Sequence, residues 1–186
     1  MAKRLFCALG MAVVCLAVPT LAAASDPTLA GFSHSNAMPI GDKWELPAGV
    51  SFARQIMGHT MFFEENCDPD PEKVVGSGDA VMLCLPLTYR PEPGMNPSLP
   101  IFIVLPAGLI FTSEDENFQH GIVVKSVTIQ IRPGQTIHVP VGLMCMNAGR
   151  STSAPGVAYR LGPVTRNPGF QRLFALLENK RTRRPS

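Results

Sequence analysis

Two groups of side chains in this sequence have the types and spacing that chemistry would need. His120 and Cys145 are a base and a thiol. An imidazole that holds Cys145 as thiolate would make it a nucleophile for acyl transfer. The second group is a set of soft donors. His59 and Met61 stand two residues apart, which on a strand puts imidazole and thioether on one face, and Met144-Cys145-Met146 sets two thioethers about a thiol. Together these five residues are a candidate set for copper or another soft metal. They do not reproduce the closely spaced cysteine, histidine and methionine of a copper-holding loop, and methionines at strand spacing also serve as core. His34, His120 and His138 have no mutual spacing that would make them ligands.

A third cluster is hard rather than soft. Glu64, Glu65, Asp68, Asp70 and Glu72 crowd one short segment that a cation such as calcium could enter. The alternating aspartates, glycine and closing glutamate of a calcium loop are missing, and Pro69 and Pro71 stiffen the segment, so the expectation is a solvated acidic loop. The comparison with envelope cysteine transpeptidases, whose nucleophile resembles Ser-x-Gly-Cys-x-Arg, fails here, where Met144 and Asn147 stand in the glycine and arginine positions. No Gly-x-Ser-x-Gly serine elbow is present either.

The elements that would position these groups follow an N-terminal leader. Lys3 and Arg4 precede a charge-free apolar run that ends in Leu21-Ala22-Ala23-Ala24-Ser25, the pattern of a secretory signal peptide over 1–24 cleaved after Ala24. Neither Cys7 nor Cys15 follows a small residue, as a lipidated cysteine would require. Export implies a periplasmic or secreted protein, with no transmembrane segment after cleavage. Loss of Lys3 and Arg4 brings the net charge from +2 to zero. The balance is uneven: residues 25–149 carry 6 basic and 13 acidic side chains, and residues 150–186 carry 8 basic and 1 acidic. Of the 5 cysteines, Cys67, Cys84 and Cys145 would remain in an oxidising compartment. Cys67 with Cys84 is the preferred pair because they flank a turn-rich hairpin segment. The other two pairings and three free thiols stay open.

After an N-terminal extension over 25–42, short apolar runs separated by proline and glycine predict a single all-β domain over 43–179. The expected architecture is a two-sheet β-sandwich, Ig-like or similar, with one short C-terminal amphipathic helix. Expected strands are 43–46, 50–57, 80–89, 101–105, 109–112, 122–131 and 136–146. The clearest hairpin joins the last two through Arg132-Pro133-Gly134-Gln135, a type II turn by composition. Leu46-Pro47-Ala48-Gly49 is echoed by Leu105-Pro106-Ala107-Gly108, which is read as a shared turn rather than a duplicated half-domain. Residues 147–166 show no clear periodicity.

Asn167-Pro168 offers an N-cap and a first-turn proline, and Phe170, Leu173, Phe174 and Leu177 recur at helical spacing, predicting a helix over about 168–179 that closes one end of the sandwich. A basic tail over 180–186 follows. The function expected is a non-catalytic module for protein binding or assembly in a bacterial cell envelope. It would hold a protein partner by a sheet edge or by the helix and tail, with Arg172, Lys180, Arg181, Arg183 and Arg184 as candidate contacts. The alternatives are a periplasmic copper-binding protein and a cysteine-dependent envelope acyl transferase. No cofactor is the leading expectation, with copper as the alternative, and nucleic acid is not expected because interleaved aromatics for base stacking are absent.

Overall fold

The computed structural model describes residues 26–59, 67, 73–178 and 180. The leader with its cleavage site, Met61, most of the acidic loop, and Arg181, Arg183 and Arg184 of the tail lie outside the described residues. Nine strands form the main sheet: β1 (Gly41–Asp42), β2 (Val50–Phe52), β3 (Ile56–Gly58), β4 (Val75–Gly76), β5 (Val81–Tyr89), β7 (Leu109–Ser113), β8 (Gly121–Ile122), β10 (Thr136–Cys145) and β11 (Ala158–Thr165). Two more, β6 (Ile101–Leu105) and β9 (Val127–Ile131), make a separate ribbon. The helix α1 runs over Pro168–Glu178.

The protein is mostly β with one short helix, as the sequence predicts, but the sandwich expectation is corrected. Antiparallel pairing runs β5 to β3 to β11 to β7 to β8 to β10 and back to β5, a closed six-stranded barrel rather than two stacked sheets. Two features permit closure. The long strand β10 pairs with β5 from Thr136 to Leu143, then passes to β8 at Met144 and Cys145. In β11 the register shifts between Leu161 and Val164, around Gly162 and Pro163, and a bulge of this kind bends a strand around a corner. Gly162 and Pro163 also explain why β11 does not read as a strand in the sequence.

The long strand β5 is specified by period-2 patterning. Val81, Leu83, Leu85, Leu87 and Tyr89 enter the core with Val141 and Leu143 of β10, Leu109 and Phe111 of β7, and Tyr159 of β11. Pro86 lacks an N–H to give a ladder, and it sits opposite the break between β2, which pairs through Phe52 to Leu87, and β3, whose pairing with β5 starts at Met57 against Cys84. Cys67 is joined to Cys84 by a disulfide, so the preferred pairing forms.

The expected hairpin is also corrected. Its turn is present, with Gln135 N–H donating to the Arg132 carbonyl at 3.2 Å and Gly134 at φ +73°. The two arms then separate, β9 to the ribbon and β10 to the barrel, and residues 123–126 divide the expected strand 122–131 into β8 and β9. The ribbon's inner residues Ile103, Leu105, Val127, Ile129 and Ile131 still join the barrel core. Both Pro-Ala-Gly sequences make the same turn: Val50 donates to Pro47 at 3.0 Å and Leu109 to Pro106 at 3.1 Å, with Gly49 and Gly108 at positive φ.

Candidate functional site

The elements around α1 build the candidate site. Asn167 caps the helix, its Oδ1 accepting from the N–H groups of Gly169 (2.9 Å) and Phe170 (3.2 Å). Its Nδ2 donates to Thr28 Oγ1 at 2.9 Å, and Thr28 in turn donates its hydroxyl and its N–H to Asp26 Oδ1. These bonds hold the Asp26 carboxyl below its ordinary pKa. The relay fastens the 3-10 turn Pro27–Leu29 to the helix start. From there the N-terminal segment straps the end of β10: Ser33 N–H donates to the Met146 carbonyl at 2.8 Å, and Asn147 Nδ2 donates to the Gly31 carbonyl at 2.8 Å.

Under this strap lies a second apolar cluster of Phe32, Ile110, Ile122, Met146 and Phe174, on the outer side of the β7–β8 hairpin. The helix therefore covers a flank of the barrel and does not close an end, which corrects the sequence expectation. Phe170 stacks on Phe32 with centroids 4.4 Å apart. Between strap, helix and β10 is a cleft of about 400 Å³ walled by Leu29, Phe32, Ile122, Cys145, Met146 and Phe170. On its wall Leu29 remains 45% exposed, and elsewhere on β10 and α1 Met144 (41%), Leu173 (43%) and Leu176 (66%) are exposed too. Of α1, only Phe174 is fully buried.

Cys145 is a free, exposed thiol on the wall of this cleft and makes no hydrogen bond to the described residues. His120 is next to it in register but not in chemistry. Cys145 pairs with Gly121 across the β8–β10 pair, one residue from His120, but no hydrogen bond joins imidazole and thiol among the described residues. His120 is buried, and its Nδ1 accepts the Ser113 N–H at 3.0 Å, completing the end of β7. Burial, and to a lesser extent the charge of Arg150, push its pKa down to about 4. This is a neutral, structurally committed imidazole with its Nδ1 lone pair already used.

The soft-donor residues are spread apart. His59 N–H donates to the Met82 carbonyl on one side of β5, and Met82 pairs with Gly142 on the other. Cys145 is three residues further along β10, so upwards of about 10 Å separates the two sets. Met144 is exposed, Met146 is packed under the strap, and His59 is buried at the barrel end with no partner for its Nε2 among the described residues. Among the described residues no group of three or more histidine, cysteine or carboxylate side chains could hold a metal. Of the candidate contacts, Arg172 and Lys180 are exposed, and the Lys180 carbonyl accepts from Lys125 Nζ at 3.0 Å.

The strap and the cleft it forms were missed from sequence, where 25–42 reads as a plain extension. The only signal was Asp26-Pro27, the mark of a capped turn. Compared with protein-family models, with curated proteins and with solved structures, the chain matches none of them. Among the described residues no helix is long and apolar enough to cross a membrane.

Proposed function

We propose that this is an exported, non-catalytic β-barrel module of the cell envelope, periplasmic or secreted, that holds another protein against the face formed by α1, the N-terminal strap and the Cys145 cleft. The observation that carries the reading is the mostly apolar cleft itself, with Leu29 exposed on its wall, on a protein whose α1 also leaves Leu173 and Leu176 exposed. Exposed apolar patches of this kind mark contact surfaces on monomeric proteins. The basic C-terminal third of the sequence, with Arg172 exposed on the same helix, suits a partner whose apolar contact segment is flanked by acidic residues. The commitment of His120 Nδ1 to the Ser113 N–H supports a binding role over acyl transfer, and the separation of His59 from Met144, Cys145 and Met146 supports it over copper.

The test is capture from the native envelope by the mature chain and by a Leu173→Asp/Leu176→Asp variant. Both side chains are exposed, so the variant keeps its sheet signal in circular dichroism. Loss of a specific partner from the variant alone is expected; equal capture by both would overturn the assignment of this face.

A further inference from the structure

The β6–β9 ribbon carries a second surface that α1 does not explain. Its outer face shows Phe102 at 58% and Val104 at 48% exposure, with Leu99 beside them at 57%. Sequence gives the edge none of the usual protection. No charged residue occurs between Glu92 and Glu114, and β9 is uncharged throughout. Strand edges in soluble proteins are normally guarded by lysines, inward charges or bulges, because unpaired N–H and C=O groups template another strand. In β6 the only guards are Pro100 and Pro106, which bracket the strand without interrupting it. Its single strand partner is β9, so its outer edge has no backbone partner among the described residues.

We infer that β6 pairs edge to edge with β6 of a second copy of this chain, antiparallel about a two-fold axis at Ile103. Burial alternation, in which Ile103 and Leu105 face the core and Phe102 and Val104 face out, requires the axis to pass through a residue, and an axis at Ile103 is the one that pairs the whole of 101–105. Centred on Ile103, Phe102 of each copy lies opposite Val104 of the other. This is an aromatic to β-branched cross-strand pair, repeated twice by symmetry. The two ribbons become one four-stranded sheet whose outer face carries Phe102 and Val104 of both copies at its centre, flanked by Gln130 and Thr128 of each β9. Identical edges repel when they are charged, and this one carries no charge, so a second copy meets no repulsion along it. A five-residue edge buries less than the roughly 800 Å² per partner of a stable interface, so the association is weak and concentration-dependent.

The test is sedimentation equilibrium of the mature chain in a Cys145→Ser background from micromolar to near-millimolar concentration, with and without Val104→Lys. A monomer–dimer equilibrium is expected, weakened about tenfold or more by the lysine, which removes both cross-strand pairs. Register is read separately by oxidation. A mixture of Phe102→Cys and Val104→Cys chains in that background gives a cross-linked dimer, and neither variant gives it alone. A chain that stays monomeric throughout, a dimer indifferent to Val104→Lys, or equal cross-linking by one cysteine variant alone would each overturn the inference.

Discussion

Acid should loosen the barrel end that carries His120. An imidazole with a folded pKa of about 4 and an unfolded value near 6.5 binds fewer protons folded than unfolded. Its contribution is therefore fully present above pH 6.5 and is lost as pH falls toward 4. Linkage gives a loss of about 2.5 kcal/mol by pH 4.5, which for a domain of this size lowers Tm by roughly 5–10 °C. Burial also depresses His59, at the same barrel end, so it acts in the same direction. The assay is thermal denaturation followed by circular dichroism at pH 7.5 and 4.5, on the wild type and on His120→Gln. The amide oxygen can still accept from Ser113 but cannot titrate, so the variant should lose most of the pH-dependent drop. Asp26 and Asp42, whose pKa values are held down by Thr28 and Arg166, lose their contributions only below this window and in both proteins alike. An equal drop in His120→Gln, or none in the wild type, would refute the reasoning.

The remaining predictions concern packing and covalent ties. Reducing Cys67–Cys84, which closes a loop of sequence separation 17, should lower stability by about 3 kcal/mol, and thiol labelling should find Cys145 alone in the folded mature chain and three cysteines after reduction and denaturation. Phe174→Ala should lose about 3–5 kcal/mol in a denaturant titration because Phe174 is buried against Gly108 and the second cluster, whereas Leu176→Ala, 66% exposed, should stay within about 0.5 kcal/mol of wild type. Asn167→Ala removes both the helix cap and the tie to Thr28. It should lose about 1–2 kcal/mol and raise hydrogen exchange at Gly169 and Phe170 before the sheet opens.

What could be read from the sequence was what local physics decides. The alternation in β5 and β10, the Pro-Ala-Gly turns, the left-handed glycine at Gly134 and the Asn167-Pro168 helix start all depend on neighbours in the chain. Pairing across the fold depends on distant partners. The type II turn at Arg132–Gln135 forms, yet nothing local tells β9 to pair with β6 and β10 with β5. Barrel closure hid in two irregularities, the bulge at Gly162-Pro163 that breaks the pattern of β11 and the change of partner at Met144 in β10. The site residues show the same division. Residue type put Cys145 and His120 on one list, while the fold buries His120 on the Ser113 N–H and leaves Cys145 exposed without a bond to it. The strap residues Leu29 and Phe32 gain their role only from the cleft they wall.

The claim that the α1 face holds a partner is tested most directly by a photo-crosslinking residue at position 176, in the cells that make the protein, with position 92 on the proline-rich connector before β6 as control. The account predicts one discrete protein adduct from position 176 and none from position 92. No adduct at 176, or the same adducts from both positions, would contradict it.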